Sequence, residues 1–279
     1  MLQGKKPSVR RAILVVEVLG SILLAFYMGA NFGKIYQFQK MVYELPRGEN
    51  LSASLKRLFL LQPHYGEFDQ DLWVALAVAH GKQNGYYVDV GSGDGVIQSN
   101  TKLLDRMGWQ GVCIDPFPTN MQTRTCQLFQ QPVWSESGKK VKFREAGAVG
   151  GIDTTLKTYK GQASAANEAE FVTATLDEIL EKAKAPKWID YMNLDIEGAE
   201  YEVLRGFSLD RYNVGSFTIE HNFEPEKREL IRKLMESKGY VRVRSWEVDD
   251  WYVHPSLAGQ YHTYLAFASG KWVYRTARK

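Results

Sequence analysis

Residues 86–95 read YYVDVGSGDG, an apolar run that ends in a glycine-rich turn. A short apolar run bounded by glycines predicts a buried strand, and glycines let the backbone of the turn approach a ligand closely. A second apolar run, VCI at 112–114, stands directly before Asp115. A carboxylate at the end of the second strand can accept hydrogen bonds from both ribose hydroxyls of a nucleoside ligand. The two runs predict an α/β fold with a nucleoside site; an ordinary glycine-rich turn is the alternative.

The spacing of the glycines narrows the class of ligand. Dinucleotide-binding turns follow the pattern G-x-G-x-x-G, whereas here the glycines stand at 91, 93 and 95 and position 96 is Val. The pattern G-x-G-x-G fits S-adenosylmethionine better than a nicotinamide dinucleotide. The sequence also contains no plausible set of residues for hydride transfer, which disfavours an oxidoreductase.

The composition predicts one large folded domain or two small ones. The chain has 279 residues, of which 44% are hydrophobic and two are Cys. This excludes a disordered chain, a disulfide scaffold and a cysteine-rich zinc domain. Residues 1–34 hold five Lys and Arg and one Glu, which leaves 30 basic and 31 acidic residues in the rest. Because the rest has no basic excess, we expect no nucleic-acid partner. The histidines lack metal-ligand spacing, so we expect no metal.

Residues 12–33 read AILVVEVLGSILLAFYMGANFG and carry one charge, Glu17. A helix of this length is about 33 Å long, enough to cross the apolar core of a bilayer. Since four cations precede it, we expect a single-pass membrane anchor; a cleaved secretory signal and a buried core helix are the alternatives. The positive-inside rule places the N-terminus on the cytoplasmic or matrix side and the large domain on the other side. A domain in the cytosol is the alternative, because S-adenosylmethionine is not obviously available in a secretory lumen or periplasm. A mitochondrial inner membrane and an endomembrane both fit.

We divide the chain into a basic flank (1–11), a transmembrane helix (12–33), a linker with short helices (34–68) and one domain (69–279). In the domain, strands and helices alternate, which predicts a mostly parallel sheet with helices on both faces. The predicted strands are 86–90, 112–114, 132–134, 141–143, 188–194, 217–220, 240–246, 264–268 and 271–274. The predicted helices are 69–80, 100–107, 175–184, 199–205 and 225–237. Residues 152–167 are polar and predict a surface loop.

Three blocks of the sequence resemble the FkbM family of methyltransferases. They are YYVDVGSGDGVIQSNTKLLDRMGWQGVCIDPFP (86–118), IDYMNLDIEGAEYEVLRGF (189–207) and TIEHNFEPEKRELIRKLMESKGY (218–240); AVGGI (148–152) is similar to one branch of the family. The resemblance implies the Rossmann-like class I methyltransferase fold, with a mostly parallel seven-stranded sheet. It also implies transfer of a methyl group from S-adenosylmethionine to a hydroxyl oxygen. Asp115 departs from the family, in which Glu is more usual, but the shorter acid still reaches a ribose.

The resemblance assigns cofactor-binding roles to residues at the ends of the predicted strands. Asp115 would hold the ribose. Val133 and Trp134 would lie beside the adenine, although Trp134 fits a core aromatic residue equally well. The amino-acid part of the cofactor would lie against Asp195 and the glycine-rich turn, which consists of Asp89, Gly91, Ser92, Gly93, Asp94 and Gly95.

The candidate catalytic residues follow the next two predicted strands. Asp195 and Glu197 would orient the methionine ammonium or the acceptor, or else cap the following helix, where anions are favoured. His221 is the first choice for a general base, because its ordinary pKa suits proton transfer; a hydrogen-bonded structural histidine is the alternative. A base can be dispensable, since most of such a transfer is positioning. Glu200 is expected to be structural only.

The sequence thus predicts a membrane-anchored S-adenosylmethionine-dependent O-methyltransferase. Its partners would be a small-molecule or lipid-linked hydroxyl acceptor and, through residues 12–33, membrane lipid. The alternative is a non-catalytic accessory subunit of a membrane complex, which Glu17 inside the predicted span would suit. The intact glycine turn favours the enzyme. For Cys113 and Cys126 we expect buried free thiols, with a disulfide as the open alternative.

Overall fold

The computed structural model describes residues 64–79 and 81–258, and the backbone of two strands at 264–268 and 271–275. The predicted basic flank, transmembrane helix and nearly all of the linker lie outside the described residues. Among the helices that are described, none has the length and apolar character needed to cross a membrane.

The largest sheet has seven strands and is mostly parallel. In spatial order these are β11 (Val241–Trp246), β12 (Asp249–Val253), β10 (Ser216–Glu220), β8 (Tyr191–Leu194), β1 (Tyr86–Val90), β2 (Gln110–Ile114) and β3 (Gln127–Phe129). β12 runs in the direction opposite to the other six strands, so it pairs antiparallel with both β10 and β11. The central strands β8 and β10 are buried along their whole length, as expected for parallel strands covered on both faces. The predicted seven-stranded, mostly parallel α/β sheet is confirmed.

Three smaller ladders accompany the main sheet. The first is antiparallel, with β4 (Lys140–Glu145) between β5 (Gly151–Ile152) and β6 (Asn167–Val172). The second pairs β7 (Trp188–Ile189) with β9 (Asn213–Val214) in parallel. The third pairs β13 (Tyr264–Ala268) with β14 (Lys271–Arg275) in an antiparallel hairpin. The first ladder supplies one wall of the cavity described below.

The described helices are α1 (Gln70–Trp73, continued by a π-helical turn at Val74–Val78), α2 (Lys102–Arg106), α3 (Lys160–Ala163), α4 (Leu176–Lys182), α5 (Glu200–Gly206), α6 (Pro225–Ser237) and α7 (Pro255–Ala258). Five of them, α1, α2, α4, α5 and α6, lie near the predicted positions, whereas α3 and α7 were not predicted. Short 3₁₀ turns lie at Met121–Thr123 and Gly147–Val149. Thr175 caps α4, because its Oγ1 accepts a hydrogen bond from the Glu178 amide at 3.3 Å. The polar segment 152–167, predicted as a loop, contains α3.

Two predicted strands of the main sheet are wrong. Residues 132–134 form no strand, and Val133 makes only an isolated bridge with Ala174. The strand at 264–268 pairs with β14 instead of finishing the main sheet. The antiparallel strand of the main sheet is β12, which was not predicted; it begins with Asp249 and Asp250 and is buried throughout.

The expectation of free thiols is also wrong. Cys113 in β2 forms a disulfide with Cys126, which precedes β3, with their Cα atoms 5.7 Å apart. Because β2 and β3 are adjacent in the sheet, the bond ties the connection between them to the sheet. A short sequence separation alone could not reveal this, since bonding depends on the distance between the two Cα atoms.

Candidate active site

The carboxyl ends of four parallel strands meet at one rim of the main sheet. Ligands of open α/β sheets bind outside this rim, and here the rim opens on a cavity of about 810 Å³. A residue at or just past the end of each of β1, β2, β8 and β10 lines the cavity: Gly91, Asp115, Asp195 and Glu220. The fold thus brings together candidate residues from four separate parts of the sequence.

The glycine-rich turn is shaped by its neighbours. Gly91 has φ +86, and a Cβ there would lie 1.7 Å from the Asp195 carbonyl oxygen, so no other residue fits. Gly93 also has a positive φ but faces open space. Its amide donates to Asp115 Oδ2 at 2.9 Å, and the Phe117 amide donates to Asp115 Oδ1 at 2.7 Å. Burial raises the pKa of Asp115 despite these two donors. The predicted ribose acid therefore lies against the glycine-rich turn.

Asp89 lies at the base of the cavity and is almost fully buried. Its carboxylate accepts hydrogen bonds from Thr101 Oγ1 at 2.5 Å and from Asn193 Nδ2 at 3.0 Å. Burial raises the pKa of Asp89, and the Arg124 guanidinium opposes this rise. Through these bonds Asp89 links β1 to β8 and to the start of α2, which fixes the end of the strand that carries the glycine-rich turn.

Of the remaining residues of the turn, Ser92 and Asp94 line the cavity, whereas Gly95 packs against other parts of the protein. Ser92 lines the cavity, and its buried hydroxyl has no hydrogen-bond partner among the described residues. Asp94 lines it too, and its Oδ1 accepts the amides of Val96 and Ile97 at 2.9 and 2.8 Å. Gly95 is not part of the cavity wall; a Cβ there would meet Met121 Sδ at 2.7 Å. The expected cofactor contact is therefore available to Ser92 and Asp94 but not to Gly95.

Of the two residues expected beside the adenine, only Val133 lines the cavity. Trp134 lies outside its wall, and its amide donates to the Ala174 carbonyl. An aromatic wall does exist, but it comes from Phe117 and Phe143, whose ring centroids are 5.8 Å apart. The sequence analysis missed Phe117, although its position two residues after Asp115 was a usable signal.

Three carboxylates converge at the opposite end of the cavity. Asp195, Glu197 and Glu220, which we call the acidic cluster, each place a carboxylate oxygen within 4.8 Å of the others. Burial raises the pKa of Asp195 and Glu220 well above the ordinary value, and neighbouring carboxylates raise both further. Burial also raises the pKa of Glu197 to about 7, although Asn222 donates a hydrogen bond to its Oε2 at 2.9 Å. A raised pKa means that the ionised form is disfavoured, so full ionisation of the cluster is energetically unfavourable.

Glu200 shapes the turn that carries the cluster. Its Oε1 accepts the amides of Ile196 at 3.1 Å and Gly198 at 3.0 Å, and its Oε2 pairs with Lys227 Nζ at 3.0 Å. The turn also places Glu197 at a positive φ of 55°. Glu200 is completely buried and does not line the cavity, which agrees with the expected structural role.

His221 does not line the cavity. Its Nδ1 accepts the Phe223 amide at 3.1 Å, and its Nε2 lies 3.9 Å from Asp250 Oδ1. Burial lowers the pKa of the imidazole to about 4. Glu220, the last residue of β10, lines the cavity, whereas His221, which follows the strand, does not. This placement does not support the expectation that His221 takes a proton from a ligand in the cavity.

The wall of the cavity is strongly acidic, which favours a cationic ligand. Among the described residues that line it, no side chain is Lys, Arg or His. Nine are acids: Glu67, Asp89, Asp94, Asp115, Glu145, Asp195, Glu197, Glu220 and Asp249.

A family model decides the identity of this arrangement. The model of the methyltransferase FkbM domain matches residues 89–242, more than half of the chain. The chain belongs to the FkbM methyltransferase family. A search of curated proteins found no matching relative.

The FkbM domain contains nearly the whole site. The matched residues begin at Asp89 in β1 and end in β11, so they include the glycine-rich turn, Asp115 and the acidic cluster. The resemblance seen in the sequence is thereby confirmed for the methyltransferase domain. Residues 12–33 lie outside the match.

Proposed function

We propose that this FkbM domain transfers a methyl group from S-adenosylmethionine to a hydroxyl oxygen. The observation that carries the proposal is the pairing of Asp115 with the glycine-rich turn in an acidic cavity. S-Adenosylmethionine carries a sulfonium and an ammonium, and an acidic wall attracts such a cation. The family match supports methyl transfer as the reaction class.

The cavity offers a place for each part of the cofactor. Asp115 would accept hydrogen bonds from the ribose hydroxyls. The adenine would lie between Phe117 and Val133, which both line the cavity near Asp115. The methionine part would extend over Gly91 and Ser92, whose unpartnered hydroxyl can donate to its carboxylate. The methyl group would then point toward the acidic cluster.

The reaction itself needs positioning and one proton acceptor. A lone pair of the acceptor oxygen forms the new O–CH₃ bond, and the C–S bond breaks with its electron pair moving to sulfur. The products are a methyl ether and neutral S-adenosylhomocysteine. The hydroxyl proton leaves to a carboxylate, for which Glu197 is our choice, because it lines the cavity and its pKa is about 7. A base with a pKa near the working pH is the most effective.

Isothermal titration of the detergent-solubilised full chain with S-adenosylmethionine tests the proposal. We expect one binding site per chain. A folded sample that binds neither S-adenosylmethionine nor S-adenosylhomocysteine would overturn the proposal and favour the non-catalytic accessory subunit.

We also propose that residues 12–33 anchor the protein in a membrane, with the domain on the side away from the cytosol or matrix. The cations before this segment support the orientation, and the bond between Cys113 and Cys126 supports an oxidising compartment for the domain. Protease treatment of sealed vesicles whose cytosolic or matrix face is outward tests it. We expect the domain to be protected in these vesicles, and its digestion there would refute this orientation.

A further inference from the structure

The acidic cluster raises a question that methyl transfer does not answer. Asp195, Glu197 and Glu220 hold carboxylate oxygens within 4.8 Å of one another. Like charges held so close disfavour one another's ionised form. Such an arrangement is stable near neutral pH only when protons or a cation neutralise it.

One positive side chain acts on the cluster from outside the cavity wall. Lys227 lowers the pKa of Glu197 and Glu220, but its Nζ is paired with Glu200 Oε2 at 3.0 Å and with Glu224 Oε1 at 3.5 Å. One lysine shared among these carboxylates does not offset the charge of the cluster, because the pKa of both residues remains raised. Since no Lys, Arg or His lines the described cavity wall, further positive charge can reach the cluster only from the cavity.

Glu220 supplies a second, independent observation. Its side chain is 5% exposed, and its Oε2 is buried without a hydrogen-bond partner among the described residues. An unpartnered buried carboxylate oxygen is unfavourable, because burial removes it from water without supplying a hydrogen bond in return. Because this oxygen belongs to a side chain that points into the cluster, it can serve as a ligand atom where the three carboxylates converge.

We propose that the acidic cluster binds one divalent cation of the oxygen-preferring class, Mg²⁺ or Mn²⁺. Three carboxylates and no nitrogen or sulfur donors are the ligand set that these ions prefer. Oxygens around an octahedral Mg²⁺ lie about 3 to 4 Å apart, so small side-chain rotations would close the observed spacing. The remaining positions of the ion face the cavity and are open to water or substrate.

The ion would define the class of methyl acceptor, an inference that rests on the proposed function. A hydroxyl oxygen that coordinates the ion becomes more acidic. Its proton can then pass to water, and Glu197 serves as a ligand instead of a base. The acceptor would therefore bind through oxygen, as an alcohol or a vicinal diol does.

Electron paramagnetic resonance of Mn²⁺ added to the full-length, EDTA-treated protein tests the site. Mn²⁺ that binds the protein no longer contributes to the signal of the free ion, so the signal falls as the site fills. We expect one bound Mn²⁺ that Mg²⁺ displaces. Glu220→Gln and Glu197→Gln should weaken binding at least about tenfold. Glu145→Gln is the matched control, since it removes an acid from the same cavity wall but outside the cluster, and its Mn²⁺ affinity should equal that of the wild type.

Folding and cofactor binding are followed separately. Circular dichroism checks that each variant is folded, which we expect because the carboxamide keeps the size of the side chain and relieves repulsion. No Mn²⁺ binding by folded wild type, or equal binding by all four proteins, would overturn the cation site. So would a Glu220→Gln variant that loses S-adenosylmethionine but keeps Mn²⁺, because the carboxylate would then serve the cofactor's ammonium. Titration with S-adenosylmethionine in EDTA tests the proposed function on its own.

Discussion

Gly91 packs directly against the backbone of Asp195, so that a Cβ on Gly91 would lie 1.7 Å from the Asp195 carbonyl oxygen. The Asp195 amide in turn donates to the Val90 carbonyl at 3.0 Å. The glycine-rich turn and the turn that carries the acidic cluster are therefore held against each other. The proposed cofactor end and the proposed acceptor end of the cavity form one rigid unit through this contact.

We expect Gly91→Ala to disrupt this contact. The positive φ alone costs about 1 kcal/mol for a non-glycine residue, and the clash with backbone atoms must add to it. Gly138→Ala is the control, because Gly138 also has a positive φ of 79° but faces open space. Urea unfolding should show a loss of about 1 kcal/mol for Gly138→Ala and a clearly larger loss for Gly91→Ala. Equal losses would mean that the two turns separate easily.

Asp115→Asn should weaken the binding of S-adenosylmethionine. A hydrogen bond to a charged group contributes about 1.5–3 kcal/mol, so the loss should be about 10- to 100-fold in affinity. Isothermal titration measures it, with Asp210→Asn as the control, since the Asp210 side chain is 87% exposed and lies outside the cavity wall. An unchanged affinity in Asp115→Asn would remove the ribose assignment.

The sequence predicted the parallel part of the sheet well because β1, β2, β8 and β10 are apolar runs between clear turns. It missed β12, since Asp249 and Asp250 look like loop residues. These acids are buried with partners from other elements: Gln70 Nε2 donates to Asp249 Oδ2 at 2.8 Å, and Arg228 and Arg242 hold Asp250 at 2.7 and 3.0 Å. The partners lie 8 to 179 residues away in the sequence, so no short local pattern shows these contacts.

The sequence predicted which edge of the sheet carries the site, but not which residues at that edge line the cavity. Glu220 and His221 both stand at the end of β10, and the sequence made His221 the more attractive base. Which of two neighbouring residues enters the cavity depends on where the strand ends and how the chain turns after it, which a local sequence pattern does not show. Val133 and Trp134 present the same ambiguity of one residue, because Val133 lines the cavity and Trp134 does not.

The pKa of His221 predicts a loss of stability in mild acid. The pKa of His221 falls from 6.5 to about 4, chiefly through burial; Asp250 opposes this fall, and Arg228, Lys227 and Arg242 add to it. A base with a lowered pKa favours folding while it is neutral, so its contribution is complete above pH 6.5 and falls as the pH drops toward 4. At pH 5 the loss should be about 2 kcal/mol.

The variant His221→Asn isolates this contribution, because Asn can still accept the Phe223 amide through Oδ1. Urea unfolding in EDTA at pH 7.5 and pH 5 measures it in both proteins. We expect the wild type to lose more free energy of unfolding than the variant between these two values. Parallel losses would show that the imidazole is not the titrating group.

The disulfide should stabilise the domain by about 2–4 kcal/mol, because it closes a short loop in the unfolded chain. The two cysteines are 13 residues apart in the sequence. Dithiothreitol should lower the unfolding midpoint of the wild type but not that of Cys126→Ser, which already lacks the bond. A midpoint that dithiothreitol leaves unchanged in the wild type would contradict the bond.

Substitutions of Glu200 and Lys227 should have strongly coupled effects on the free energy of unfolding. Both side chains are buried, and breaking a buried pair costs roughly 3–5 kcal/mol when the remaining charge is uncompensated. Because Lys227 Nζ keeps Glu224 Oε1 at 3.5 Å, the loss should lie at the lower end of this range. Glu200→Gln should therefore destabilise the domain although Gln can still accept the amides of Ile196 and Gly198. Replacing both partners, in Glu200→Gln with Lys227→Met, should recover part of the loss because no buried charge is left alone. Urea unfolding of the two single variants and the double variant gives the coupling energy. Effects that add within about 0.5 kcal/mol would show that the two side chains act independently.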